Sequence, residues 1–171
     1  MQKEILFEER QRFRQCWLWA MMIGVNGIFI YGVIKQIFME QQFGDKPMSN
    51  AGLLLTFQLT CIVTLLLVSI RLDTQIKSDG IYVRFFPFHF ILFKFYSWEK
   101  IEKAYVREYS PIGEYGGWGI RLGSFGKGMA YNISGNKGIQ LEMKNGKKLL
   151  IGTKHPDEAK QALQNSGHLE E

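Results

Sequence analysis

The stretch C-W-L-W-A-M-M-I-G-V-N-G-I-F-I-Y-G-V-I at residues 16–34 runs nineteen positions without a charge, and G-L-L-L-T-F-Q-L-T-C-I-V-T-L-L-L-V-S-I at 52–70 does the same. At about 1.5 Å of rise per residue, each is close to the roughly 20 residues that cross a bilayer core about 30 Å thick. A helix of a small soluble protein carries one apolar stripe, whereas these stretches are apolar on every face. They predict a membrane α-hairpin, with transmembrane helices at 16–38 and 51–70 and an external loop at 39–50. The rest of the chain is polar enough that mean hydropathy comes out at −0.09, an average over two unlike parts.

Basic residues set the expected sidedness. Lys3, Arg10, Arg12 and Arg14 precede the first span, Arg71, Lys77 and Arg84 follow the second, and only Lys35 and Lys46 lie between. Lys and Arg favour the cytoplasmic side, so the reading is a multi-pass protein of an inner or plasma membrane, N-in and C-in, with residues 1–15 as a cytoplasmic segment. The first span is longer than a signal's apolar region and a second follows it, so the hairpin is expected to remain in the mature protein. Cys16 and Cys61 fall inside the spans as small apolar residues, which argues against a disulfide scaffold.

Gly24 and Gly27 lie along one side of the first span, and Thr56, Thr60 and Thr64 recur every four residues in the second. Small residues let helix backbones approach, and threonines hydrogen-bond across the contact. Asn26 sits near mid-span, where an unpaired amide is costly. Aligning the spans about their centres sets Asn26 level with Thr60 and one turn from Gln58. It is expected to bond to one of them, holding the hairpin together or joining two copies as a homodimer. A polar transport path is the competing reading, and it asks for more polar groups than two helices supply.

From Arg71 the period changes to two. Leu72, Thr74 and Ile76 alternate with polar residues, and Asp79-Gly80 signals a hairpin into Ile81, Val83 and Phe85. Ile91, Phe93 and Phe95 suggest a third strand, with Phe85, Phe93 and Phe95 directed inward. Ala104 and Val106, then Trp118–Leu122, then Met129, Tyr131 and Ile133 suggest three more. Ile139, Leu141 and Met143 pair through Asn145-Gly146 with Leu149 and Ile151. Pro156, Asp157 and Glu158 open a helix whose stripe is Ala159, Ala162 and Leu163. Residues 71–165 thus predict a mainly-β soluble domain, an antiparallel sandwich or partly open barrel of seven or eight strands with a C-terminal capping helix, followed by a tail at 166–171.

That order resembles the bacterial pleckstrin-homology-like (PH-like) domains found in small membrane proteins. The likeness rests on D-G-I-Y-V-R at 79–84, W-E-K-I at 98–101, G-G-W-G-I-R at 116–121, Y-N-I-S-G-N-K-G-I at 131–139 and L-I-G-T at 150–153. F-E-E-R-Q-R-F-R-Q at 7–15, ahead of a membrane hairpin, is also similar to that family. What the resemblance implies is a PH-like fold and a membrane address, with no catalytic residues to carry over.

No chemistry-bearing constellation stands out. His89, His155 and His168 are scattered, no nucleophile elbow occurs, and neither a cofactor nor a metal set is expected. The glycines of G-S-F-G-K-G at 123–128 fail the Walker spacing and join two strands, so they read as a hairpin loop.

Two surface sets are candidates for binding. Arg84, Phe86, Phe88, Phe90 and Lys94 combine aromatics with cations close after the second span, as a segment resting on an anionic leaflet does. Lys103, Tyr105, Arg107 and Tyr109, with Trp118, Arg121 and Asn132 on later strands, form a face that suits an anionic lipid headgroup or a protein partner. Over residues 71–150 there are thirteen Lys and Arg against seven Asp and Glu. A covering loop and a solvated sheet face are the plain alternatives for these two sets. Nucleic acid is not expected, since no recognition motif accompanies the modest charge. The functional expectation is a non-catalytic scaffold, sensor or regulatory subunit at the inner leaflet. The alternatives are an accessory subunit of a transporter or envelope enzyme joined through its helices, and more distantly an enzyme acting on lipid or envelope precursors.

Overall fold

A computed structural model describes residues 4–88, 93–124 and 126–168. The chain divides into two compact units, one of Arg14–Ser69 and one made of Met1–Phe13 together with Ile70–Glu171. The chain ahead of the first apolar helix, through Phe13, is thus grouped with the β unit.

In the smaller unit, α1 (Cys16–Val33) continues through a π-helical turn (Ile34–Phe38), and α2 (Asn50–Ser69) runs back. Both helices are long and apolar enough to cross a membrane. Gln36 Nε2 donates to Met48 O and Asn50 Oδ1, each at 2.8 Å, and pins the loop end. Asn26 is satisfied one turn beyond the expected position. Its Nδ2 donates to Thr64 Oγ1 at 2.9 Å and to Met22 O at 2.8 Å, and Cys61 Sγ lies 3.7 Å from its Oδ1. Gln58 is exposed, and the Thr60 hydroxyl turns back to Phe57 O. Thr64 accepts because its own hydrogen goes to Thr60 O, which leaves its lone pairs to the amide. Gly24 and Gly27 are not at the helix contact, since an added Cβ at either meets nothing within 4 Å. The tight position is Gly32, which lies against the Phe43 ring of the connecting loop.

The larger unit begins with β1 (Ile5–Arg12), which pairs antiparallel with β2 (Arg71–Lys77). Its register sets Arg12 opposite Arg71, Arg10 opposite Asp73 and Glu9 opposite Thr74. β3 (Gly80–Phe86) and β4 (Lys94–Ser97) complete a four-stranded sheet in chain order. The β2–β3 turn is Ser78–Asp79, one residue earlier than expected, because Gly80 already pairs with Lys77 and Ser97. A 3-10 turn (Trp98–Lys100) leads into the second sheet, whose strands are β5 (Ile101–Glu108), β6 (Gly119–Leu122), β7 (Met129–Asn132), β8 (Lys137–Met143) and β9 (Lys148–Gly152). Their order is β5-β8-β9-β7-β6. β7 and β9 run parallel, so this sheet is mixed. The described residues thus hold nine strands, more than expected, because β1 is recruited from ahead of the hairpin.

Inward residues of the two sheets meet in one core. Leu72, Ile76, Ile81, Val83 and Phe85 of the first face Ala104, Tyr131, Ile139, Leu141 and Ile151 of the second. α4 (Pro156–Asn165) closes it with Ala159, Ala162 and Leu163. Each fully buried Leu or Ile contributes about 1.5–3 kcal/mol over leaving it in water. Phe95 departs from the expected alternation. It is 46% exposed, while Tyr96 packs against the core instead.

β1 is fastened at both faces. Glu9 is buried, with Oε2 accepting from Thr153 Oγ1 at 2.6 Å and Oε1 from the Lys154 N–H at 2.9 Å, just ahead of α4. Gln11 Nε2 donates to Gly152 O at 2.6 Å. On the other face, Asp73 is only 4% exposed beneath arginines of three strands. Arg10 Nε donates to it at 2.7 Å, Arg84 Nη2 at 2.7 Å, and Arg71 Nε lies 3.3 Å away.

Candidate functional site

The basic-aromatic face expected on β5 is largely an internal brace. α3 (Pro111–Tyr115) starts from Ser110, whose hydroxyl accepts from the Gly113 N–H, and ends at Gly116 with φ 66°. It lies over the outer face of the second sheet, where Tyr109 and Tyr115 join Ala130 and Leu150 in a second small core. Tyr109 is therefore buried, and its hydroxyl accepts from Asn132 Nδ2 at 3.1 Å. Asn132 is also buried, and its Oδ1 accepts from the Gly119 N–H at 2.9 Å. Burial pushes the phenols of Tyr109 and Tyr115 above their ordinary range.

Arg107 is engaged within the domain. Its Nη2 and Nη1 meet Glu114 Oε2 and Oε1 at 2.9 and 3.2 Å, and its Nε donates to Gln140 Oε1 at 3.0 Å. Lys127 Nζ joins Glu114 Oε2 at 2.9 Å. The hydrogen bonds from Arg107, then Lys127 and the Ser110 N–H, hold the Glu114 carboxyl down to about 2 against the opposing effect of burial. Tyr105 donates to Glu142, which also takes Lys148 Nζ at 3.0 Å. Trp118 Nε1 donates to Gly135 O and Arg121 Nε to Trp118 O. Lys103 and Arg121 keep exposed side chains, but Tyr109 and Asn132 leave the proposed face for the interior.

Of the expected leaflet set, four residues are described, and two of them are engaged by polar partners. Arg84 is held by Asp73, with its guanidinium 4.6 Å from the Phe93 ring centre. Lys94 donates to the buried Tyr131 hydroxyl at 2.8 Å. Phe86 lies 5.0 Å under the Arg71 guanidinium, and Phe88 is 68% exposed. Phe90 and His89 lie outside the described residues. His168 stacks on Trp98, and His155 meets Glu158 at 2.9 Å. Among the described residues no three His, Cys, Asp or Glu side chains gather as a metal set.

The site that does form is a cleft of about 1060 Å³ that no sequence motif announces. It opens between β4 of the first sheet and the β6, β7 and β8–β9 ends of the second. Phe95, Tyr96, Leu122, Met129, Met143 and Leu149 make its apolar walls. Burial, with Tyr131 beside it, pushes the Tyr96 hydroxyl upward. Lys100, Lys144 and Lys147 line the mouth, with Glu99 near them.

Backbone geometry gathers those lysines. The Lys144 N–H donates to Lys100 O at 3.0 Å, which ties the 3-10 turn to the β8–β9 turn. In that turn Asn145 Oδ1 accepts from the Lys147 N–H, and Gly146 takes φ 76°. Lys148 is paired with Glu142, whereas Lys100, Lys144 and Lys147 have no carboxylate partner among the described residues. On the far wall Gly128 has φ 77°, and an added Cβ would run into Lys148 O. That glycine lets β7 start hard against β9. The glycine-rich loop is closed by the Gly123 N–H donating to Gly128 O, as a loop between strands requires.

The cleft's clues were scattered through the sequence. Leu122 and Met129 stand at the ends of short strands, Phe95 breaks its strand's alternation, and the lysines come from two turns. Comparison with family models, curated proteins and solved structures gives no match for this chain.

Proposed function

We propose that this chain is an integral membrane protein whose two-helix hairpin holds a PH-like β-sandwich at the cytoplasmic face of the inner or plasma membrane. There the sandwich works as a non-catalytic binding module, a scaffold, sensor or regulatory subunit. Both helices present large apolar side chains outward, among them Ile23, Phe38, Leu55 and Leu65, a surface that suits lipid and not water.

The observation that carries the reading is the pairing of Arg12 with Arg71. The chain leaves the sheet one residue after β1 and rejoins it at β2, so both ends of the hairpin segment depart from neighbouring strand ends. Such a segment crosses a bilayer an even number of times, and two apolar helices supply two crossings. Arg10, Arg12, Arg71 and Arg84 at that end of the sheet outnumber Asp73, which favours the cytoplasmic side. A module tethered in this way needs only weak intrinsic affinity, because its local concentration at the surface is already high.

The test is extraction and accessibility on the full chain. Alkaline carbonate should leave the protein in the membrane pellet. With Cys16 and Cys61 replaced by Ala, an impermeant maleimide should label Asp45→Cys in intact cells and Ser166→Cys only after lysis. Recovery in the supernatant overturns the anchoring, and labelling of Ser166→Cys in intact cells overturns the sidedness.

A second reading, an accessory subunit assembled through its helices, is favoured by Gln58, a polar side chain exposed amid an apolar span. It predicts that a partner, or a second copy, copurifies in mild detergent and is lost in Gln58→Leu.

A further inference from the structure

Resting on the reading that the chain is membrane-anchored, we infer that the cleft between the two sheets binds a single-chain acidic amphiphile, an acyl chain ending in a carboxylate or similar compact anion. Its volume of about 1060 Å³ lies just above the roughly 300–1,000 Å³ of small-molecule sites. A pocket of that size takes one extended chain, not a folded domain.

The walls select the tail. Phe95 is 46% and Leu122 80% exposed, and these two lining side chains belong to different sheets. Large apolar side chains left exposed around a concavity mark a binding surface. Met129 and Met143 are unbranched and polarizable, so they repack around a chain of variable kink and length. The walls present little that would read a nucleobase or a sugar, because their side chains are hydrocarbon and thioether apart from the Tyr96 hydroxyl.

The rim selects the head. Lys100, Lys144 and Lys147 outnumber Glu99 at the mouth, and the Lys144–Lys100 backbone bond holds two of them together. Lysine is a compact point charge without arginine's bidentate fork, so it suits a small anion met from several directions. Lysine stems also extend the apolar wall while their ammonium groups stay in water, which suits the junction of tail and head.

The experiment uses the full chain in nanodiscs of neutral phosphatidylcholine, photolabelled with three diazirine probes: a palmitic acid, its uncharged alcohol and a diacyl phosphatidylglycerol. Labelled peptides are mapped by mass spectrometry. The acid should label the peptides of Phe95, Leu122 and Met129, and the alcohol should label them about tenfold less at equal concentration. Leu122→Gln with Met129→Gln, and separately Lys144→Gln with Lys147→Gln, should each cut acid labelling about tenfold while near-ultraviolet circular dichroism is unchanged.

Equal labelling by acid and alcohol, labelling by the diacyl probe alone, or labelling indifferent to both double variants overturns the inference. So does the absence of cleft labelling while helix peptides are labelled. Labelling of Cys16–Phe38 and Asn50–Ser69 reports anchoring independently, so its absence sinks the membrane reading instead.

Discussion

Replacing Glu9 by Ala removes the carboxylate that fastens β1 to the end of β9. Two donors lose their acceptor, the Thr153 hydroxyl at 2.6 Å and the Lys154 N–H at 2.9 Å, at a side chain only 6% exposed. Charge-assisted bonds contribute about 1.5–3 kcal/mol each, and the low end applies because Lys154 is solvent-facing and water can replace part of what is lost. The expected cost is about 3 kcal/mol, on the order of a hundredfold in the opening equilibrium. Glu9→Gln keeps a carbonyl for the Lys154 N–H and an amide able to donate to Thr153, so it should cost only about 1 kcal/mol. Hydrogen exchange on the full chain in nanodiscs reads this directly, through peptides of β1, β2 and residues 150–155. Both the strand and the 150–155 segment should lose protection together. Unchanged exchange in Glu9→Ala, or loosening of β1 with 150–155 untouched, refutes the latch.

The other expectations concern the brace, the tight glycine and the hairpin. The Arg107 hydrogen bonds hold the folded-state Glu114 carboxyl down to about 2, from an ordinary 4.5, so the folded state binds fewer protons through that interval. The stability it lends is fully present above about 4.5 and is lost as pH falls toward 2. Proteolysis of the 111–128 segment should accelerate across that window in wild type, and Arg107→Met should flatten the dependence. Gly128→Ala should destabilise by about 3 kcal/mol or prevent folding, because a Cβ there meets the Lys148 carbonyl at positive φ. Gly126→Ala has the same backbone sign but open space and should cost only about 1 kcal/mol, a contrast that urea titration measures. Asn26→Leu should weaken the α1–α2 contact by about 0.6–1 kcal/mol without affecting insertion, read as slower disulfide crosslinking between cysteines placed at the loop end.

Where a pattern was local, the sequence was legible. The spans were plain because no charge interrupts them, and the β2–β3 and β8–β9 hairpins were marked by turn residues beside alternating apolar ones. α4 announced itself through Pro156, two acids and a three-residue stripe. β1 was hidden for a physical reason. Its inward positions are Phe7, Glu9 and Gln11, so two of three core-facing side chains are polar and the usual alternation is absent. Their partners lie far along the chain, at residues 152–154. Tyr109 was misplaced because a strand read alone gives parity but not what covers its outer face. Only α3, packed there through Tyr115, turns that position into core. The cleft was illegible throughout, since its walls come from strand ends and turns that meet only once two sheets have stacked.

Building the sandwich from both flanks of the hairpin has a consequence for biogenesis. β1 emerges from the ribosome well before β2, with all of Arg14–Ser69 still to be synthesised between them. On the membrane reading proposed above, β1 meets its sheet neighbour only once both helices have been threaded. On the same reading, a chain with one helix inserted would leave β1 and β2 in different compartments, and neither the Asp73 cluster nor the Glu9 contact could assemble. On that reading, completion of the sheet would itself report that both helices had been threaded.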